Sequence, residues 1–362
     1  MRAFCIAGAG IAGLSCAISL AKRGERVIVF ERSSSVGARF AGSFQFLENF
    51  SHAEDVPSFL KRAGIERNFE LLPQNKIIVF GPSMSEHELR SRKPLWYALR
   101  RGKGRGTLDT GLLEQARASG VEVEFGKSVR ACEADVMATG ARRADGIARE
   151  IVFETDDELH HVLLDDRIAP KGYAYVFSHG GMATLCVAIM RDFGNIGSYF
   201  ERAVRRLREK LGFAMRKPRA QTNFVSFYIP RRLSAGRTLV VGEAAGFQDF
   251  LFGFGLRYAI ESGWMAAAQL AGEQDYEQAA RERIFPFLEG GVANRFLFEL
   301  LGNRGYEWLA ERAERSDARE FLKRWTAPSV FKKVMQQIIR ATVWRKRGRC
   351  GHGENCSWCL QR

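Results

Sequence analysis

The sequence predicts an α/β fold: a discontinuous parallel sheet, an inserted antiparallel or mixed sheet, and a helical C-terminal region. Three observations predict it. The first 31 residues read as strand, glycine turn, helix and strand. A second strand, glycine turn and helix returns at residues 237–271 after a long inserted stretch of different texture. From Tyr276 to Arg345 helical periodicity prevails.

The N-terminal unit is the most specific. Ala3-Phe4-Cys5-Ile6-Ala7 is an apolar run too short to carry a helical stripe, which reads as a buried strand. It meets Gly8-Ala9-Gly10-Ile11-Ala12-Gly13 and a helix from Leu14 to Lys22; Gly24 ends that helix, and Arg26 to Phe30 is a second strand closed by Glu31. Gly8 suits the tight turn, Gly10 lets the backbone approach a pyrophosphate, and Gly13 lets helix and strand pack closely. Glu31, 18 positions beyond Gly13, can accept hydrogen bonds from a ribose. The helix N-terminus offers unpaired N–H groups to the phosphates. A secretory signal, the bland alternative for an apolar N-terminus, does not explain glycines in phase with an acid. The unit predicts a dinucleotide site and leaves NAD, NADP and FAD open.

The polar loop Arg32 to Arg39 leads into the aromatic-rich stretch Phe40 to Phe50, where Arg39 suits either a phosphate contact or the surface. A short helix is expected over Val56–Gly64 and a strand over Lys76–Phe80. After the basic loop Arg100–Gly106, Thr107 should cap a helix that stops at Gly120, with strands at Val121–Phe125 and Ala134–Ala138. Strands at Glu150–Glu154, Gly172–Phe177, Ala183–Met190 and Phe224–Ile229, with a basic amphipathic helix over Tyr199–Leu211, suggest an antiparallel sheet as a second layer. Arg237–Val241 returns to the nucleotide sheet, followed by Gly242-Glu243-Ala244-Ala245-Gly246-Phe247, Gly253-Phe254-Gly255-Leu256 and a helix from Arg257 to Ala271.

With 362 residues, 46% of them hydrophobic, the chain has length for two domains or one large composite and can bury a sizeable core. No stretch outside the N-terminal unit is apolar enough to predict a membrane span. The net charge of +14 suits an anionic membrane surface or an acidic redox partner, or else a solvated basic face. No nucleic-acid module is apparent. Seven cysteines without a secretory signal point to a reducing cytoplasm. Cys5, Cys16, Cys132 and Cys186 read as small core residues. At the end, Cys350, His352, Cys356 and Cys359 form a set that could close a tetrahedral zinc site, serve as a redox thiol pair, or be an unattached tail.

Taken in order, these motifs resemble the FAD-dependent flavoproteins of the para-hydroxybenzoate hydroxylase fold, most closely the geranylgeranyl reductase family, from Met1 to about Ala271. The resemblance rests on the first glycine unit with Glu31, the loop Arg39 to Gly42, Arg101 with Leu108-Asp109, Val129, and above all Gly242–Phe247 followed by Gly253–Leu256. It implies a Rossmann-like FAD-binding domain over residues 1–70, 100–145 and 235–275, and a substrate-binding domain over 71–99 and 146–234. A helical region over 276–345 and a Cys/His-rich tail over 346–362 complete the expected division. It implies cofactor contacts at Gly8, Gly10, Ala12, Gly13, Glu31, Arg32, Arg39, Ala41, Gly42, Arg101, Val129, Gly140, Glu243, Gly253, Gly255 and Leu256. Tyr173, Tyr175 and Phe177 resemble the strand that lines the reductases' substrate cavity.

Departures stand beside the likeness. Glu243 replaces an aspartate, and Phe40-Ala41 occupy the place where some archaeal reductases carry a cysteine. Tyr175 and Ser178 replace a tryptophan and a proline, and Ala138-Thr139-Gly140 lacks the aspartate of the hydroxylases. No second dinucleotide fingerprint is present. The resemblance implies flavin-dependent reduction of carbon–carbon double bonds in an isoprenoid or other lipid-like substrate; the electron donor, NAD(P)H or an acidic redox protein that would suit the basic charge, is left open. A flavin monooxygenase, and an FAD-binding redox component working through a protein partner, are the alternatives. No side chain stands out in the sequence as a general acid, and His52, His87, His160, His161 and His179 read as structural or exposed.

Overall fold

The structure is a computed structural model that describes residues 2–130, 133–141 and 144–344. In chain order the first half comprises β1 (Phe4–Ala7), α1 (Ile11–Ala21), β2 (Val27–Glu31), β3 (Ala41–Glu48), α2 (Val56–Arg62), β4 (Leu72–Gln74), β5 (Lys76–Phe80), β6 (Glu86–Arg90), β7 (Trp96–Gly102), α3 (Leu108–Ala118), β8 (Glu122–Phe125) and β9 (Val136–Met137). Then come β10 (Gly146–Glu154), β11 (His160–Leu163), β12 (Tyr173–His179), β13 (Met182–Ile189), α4 (Ile196–Leu211), β14 (Arg216–Val225), β15 (Ser234–Ala235), β16 (Thr238–Val240) and α5 (Leu256–Leu270). The chain closes with α6 (Tyr276–Arg283), α7 (Phe285–Glu314, kinked at Gly302), α8 (Ala318–Thr326) and α9 (Val330–Ile339).

The first sheet has the order β15-β16-β9-β1-β2-β8 and is parallel apart from β15. Its strands come from three separated stretches, so the nucleotide sheet is discontinuous as expected. Helix α1 is buried along nearly its whole length, because the sheet covers one side and α5 the other. The helices meet through glycine: a Cβ on Gly263 would lie 2.3 Å from the Ala12 carbonyl oxygen. Gly263→Ala is therefore expected to destabilise the protein by about 1–3 kcal/mol through overpacking, read as a lowered urea midpoint.

The second sheet runs β14-β10-β13-β12-β11-β5-β6, antiparallel except between β11 and β5. Successive side chains alternate between its faces. Ile147, Phe153, Ala174, Val176, Leu185 and Val187 pack with α4, whose Phe200, Ala203 and Leu207 are buried. Ala148, Glu150, Tyr173, Tyr175 and Cys186 point the other way, into a cavity that reaches the glycine turn after β1. A small third sheet, β3-β7-β4, sits between them.

The expected strand over Phe224–Ile229 is displaced: β14 ends at Val225. The backbone then turns out of the sheet because the Ser226 N–H donates to Glu243 (3.1 Å) and the Phe227 N–H to Asp145 (3.0 Å), acceptors outside the ladder. Thr107 caps α3 as expected, accepting from the Thr110 N–H at 3.3 Å.

Candidate dinucleotide and substrate cavity

A cavity of about 550 Å³ runs from the glycine turn after β1 to the inward face of the second sheet. At one end it is lined by Gly8, Gly10, Ala12, Glu31, Arg32 and Val129, in the middle by Arg39, Arg101, Gly140 and Glu243, and on by Gly253, Gly255, Leu256, Tyr173 and Tyr175. Residues up to 248 positions apart in sequence thus share one wall. Gly13, Ala41, Gly42 and Phe177 do not line it. Gly13 is a packing position, where a Cβ would lie 2.0 Å from the Gly8 carbonyl oxygen. Ala41 and Gly42 open β3 beside the cavity.

Phe177 corrects the expected aromatic wall. It lies on the same face as Tyr173 and Tyr175 but further along β12, and is buried by Phe44 (5.1 Å between ring centroids), Phe46 (5.4 Å) and His160 (4.7 Å). Its place is taken by residues that periodicity did not single out: Phe46, Phe224, Phe252 and Phe254. The tyrosine hydroxyls are committed, Tyr173 donating to the Phe252 carbonyl at 2.6 Å and Tyr175 to the Phe44 carbonyl at 2.8 Å. Their rings therefore serve as apolar wall.

The cradle end suits a dinucleotide. Helices α1 and α5 both begin on a glycine with no side-chain cap, Gly10 and Gly255, and both glycines line the cavity. Two uncapped N-termini present N–H groups and positive dipole ends to one space. A Cβ on Gly10 would meet only the Ala138 carbonyl oxygen, at 4.0 Å, so the backbone there lies open to a close ligand. Glu31 accepts from the N–H of Ala9 at 2.9 Å and of Ser33 at 2.8 Å, which fixes it at the mouth of the glycine turn.

The middle is charged. Arg101 makes a two-pronged pair with Asp109, both contacts 2.9 Å, and almost no solvent reaches either side chain. The Arg101 guanidinium also lies 4.3 Å above the Phe40 ring, which Arg39 approaches at 4.8 Å. Arg39 reaches Glu243 at 3.5 Å. Burial pushes the Glu243 carboxyl above its ordinary pKa despite Arg39 and the Ser226 N–H.

The far end holds a group that the sequence reading left as an ordinary strand residue. Register puts Gln221, Glu150, Cys186 and Tyr175 in one row across β14, β10, β13 and β12. Glu150 is 3% exposed, and its Oε1 accepts from the Ser43 hydroxyl (3.2 Å), the Asn223 amide (3.1 Å) and the Gln221 amide. Burial raises its pKa, against those donors and the field of Arg101. The available signal was a carboxylate at an inward position of a half-apolar strand. Burial also pushes the Tyr175 and Cys186 groups up, so both stay neutral.

Among the described residues no three His, Cys, Asp or Glu side chains converge as metal ligands. Cys350, His352, Cys356 and Cys359, and Cys132, lie outside the described residues. Of the other expected core cysteines, Cys16 and Cys186 are buried and Cys5 partly so. Among the described residues no helix is long and apolar enough to cross a membrane.

Residues 6–58 match the family model of the NAD(P)-binding Rossmann-like domain. No curated protein sequence matches the chain. Among solved structures, the chain is similar to a geranylgeranyl bacteriochlorophyll reductase-like protein from Thermoplasma acidophilum, with 19% identity and a TM-score of 0.69 over 96% of this chain and 98% of that one. It is similar also to the flavin-dependent brominase Bmp2, with 16% identity and a TM-score of 0.62 over 96% and 99% of the two chains. A flavoprotein/dehydrogenase from Cytophaga hutchinsonii aligns with 16% identity and a TM-score of 0.57 over 94% and 98%. At these identities the likeness is one of fold. The architecture is that of the FAD-binding flavoproteins: a Rossmann-like parallel sheet, additional antiparallel sheets and C-terminal helices.

Proposed function

We propose that the protein is an FAD-dependent oxidoreductase that reduces carbon–carbon double bonds of an apolar, isoprenoid or lipid-like substrate. One observation carries this reading: the row Gln221, Glu150, Cys186 and Tyr175 sets the buried Glu150 carboxyl beside the aromatic wall, in the same cavity as the dinucleotide cradle. Gly8, Gly10 and Ala12 would hold the pyrophosphate of FAD, Glu31, Arg32 and Val129 its adenosine, and Arg39, Arg101, Gly140, Glu243, Gly253, Gly255 and Leu256 the remainder. When bound and reduced by NAD(P)H or an acidic redox protein, FAD supplies a hydride at N5.

The chain's own residues supply the rest. Phe46, Tyr173, Tyr175, Phe252 and Phe254 exclude water and position an apolar chain. The Glu150 carboxyl would give the alkene its proton from Oε2, the oxygen that none of the three donors engages, at the carbon opposite the one that accepts hydride. Those donors then stabilise the carboxylate until solvent returns a proton. The acid form is the active one, so turnover should fall as pH rises through the elevated pKa of Glu150.

The test is anaerobic: chemically reduced holoprotein is mixed with a polyprenyl alkene, and flavin reoxidation and product mass are followed. The expected result is reoxidation with a product heavier by H₂. Glu150→Gln should keep the flavin and its spectrum and slow that step by about 10²–10⁴-fold. A product formed only with oxygen, and carrying it, would replace this reading with a monooxygenase. Turnover that appears only on addition of another protein would replace it with a redox component.

A further inference from the structure

Helix α9 carries its apolar residues on the wrong side for a core. Val330 is 81% exposed, Phe331 67%, Val334 51% and Ile338 57%. At 100° per residue these four fall within a 100° arc, so they form one outward stripe. The opposite side, with Gln336 and Ile339, is the side that is buried. An apolar stripe of this size on a surface marks a place where something docks.

Beside it lies a second feature of complementary character. A cleft between α8, the end of α7 and the loop before β7 is lined by Arg92, Lys93, Arg312, Arg315, Lys323 and Arg324. Its two carboxylates are engaged within the fold: Asp317 accepts the backbone N–H of Arg92 (2.9 Å) and of Glu320 (3.1 Å), and Glu320 lies 3.5 Å from Arg319. Lys93, Arg312 and Arg324 form no ion pair among the described residues. Lys332 joins the two features by donating to the carbonyls of Ala327 (3.0 Å) and Trp325 at the α8–α9 corner. Beyond the described residues the sequence continues as Arg345-Lys346-Arg347-Gly348-Arg349.

We propose that the outward face of α9 and the basic cleft beside α8 together dock the protein on an anionic lipid bilayer. The apolar side chains protrude from a helix, which suits insertion at the acyl boundary. The cations of the cleft are long, and their stems can lie along apolar surface while their charges meet headgroup phosphates. The chain's net charge of +14 adds a sequence-independent attraction to the same surface. With no helix among the described residues able to cross a membrane, the contact is one of lying on the bilayer. The surface shares no lining residue with the dinucleotide cavity, so the proposal stands or falls without the flavin.

Flotation of the full chain with vesicles tests it. The protein should rise with vesicles containing phosphatidylglycerol, stay down with phosphatidylcholine alone, and release at high salt. The exposed triple variant Phe331→Ser, Val334→Ser, Ile338→Ser should melt as wild type does and lose roughly tenfold or more of the binding. Arg312→Gln with Arg324→Gln should lose a comparable amount. The proposal is overturned if the wild type ignores anionic vesicles or binds neutral ones equally, or if the triple variant floats like wild type. It is overturned equally if light scattering shows a dimer that the triple variant dissolves, which would make the stripe an interface between copies.

Discussion

Gly10→Val is expected to yield a protein that folds like wild type and no longer holds its dinucleotide. Gly10 has φ near −77°, a conformation open to any residue, and a Cβ there would meet no protein atom beyond its chain neighbours closer than 4.0 Å. The added branch would instead occupy the cavity over the turn, where a pyrophosphate must come closest to the backbone. The neighbouring glycines behave differently. Gly8 has φ near +104° and would bring a Cβ to 2.5 Å from the Ala138 carbonyl oxygen, while Gly13 would bring one to 2.0 Å from the Gly8 carbonyl oxygen. Changes at those positions strike the fold first. For Gly10→Val, FAD affinity should fall by about a hundredfold or more, about 2.7 kcal/mol, with an unchanged melting temperature. Fluorescence titration of the apoprotein reads the first and calorimetry the second; retained affinity would mean that the cofactor does not cross this turn.

The largest effect on stability is expected at Glu48 and Arg257. Their side chains are 5% and 2% exposed and lie 3.0 Å apart as an ion pair off the axis of a hydrogen bond. Glu48 also accepts from the Ser51 hydroxyl at 2.7 Å, and Arg257 donates to the Glu48 and Glu54 carbonyls. The pair binds the end of β3 to the first turn of α5, the helix that begins at the cavity. Arg257→Met leaves a buried carboxylate without its cation and should cost about 3–5 kcal/mol, whereas replacing both residues by apolar ones should restore most of the loss. Burial alone would raise the Glu48 carboxyl; Arg257, with His52 and Ser51, outweighs it and holds the pKa far below the carboxylate range. The sign follows. The folded value lies below the unfolded one, so this stabilisation is complete above the ordinary carboxylate range and is lost as pH falls toward the depressed value. Urea titrations of wild type and Arg257→Met from neutral to acid pH should converge at the acid end; parallel curves would sink the assignment.

Much of the cradle was legible because its chemistry depends on backbone. Gly8, Gly10, Gly13 and the stretch Gly242–Leu256 are needed where chain meets chain or ligand, and such positions leave glycine in the sequence at readable spacing. The sheet strands were legible for a similar reason, since Cys5–Ala7 or Ala183–Ile189 bury apolar side chains in short runs. The end that holds Glu150 was not. Glu150 matters because the pairing of β10 with β13 and β14 brings Cys186 and Gln221 alongside, and nothing local announces that register. Phe177 misled for the same reason: period-2 alternation names the face of a strand but not how far along it the cavity reaches. Phe252 and Phe254 lie in a loop, where no periodicity applies. The end of β14 was misread because its N–H groups find Glu243 and Asp145, partners remote in sequence.

The packing of α1 against α5 has a consequence for how the chain is made. During synthesis the N-terminal strand, turn and helix emerge more than 200 residues before the helix that covers them. Throughout that interval the side of α1 carrying Ala12 and Cys16 lacks the helix that covers it in the folded chain, and the cradle has only one of its two uncapped helix ends. Cofactor therefore has no complete pocket to trap early, and a truncated chain ending near residue 140 should be prone to aggregate. Capture of the dinucleotide belongs to the closing stage of folding, when the last third of the polypeptide returns to the first.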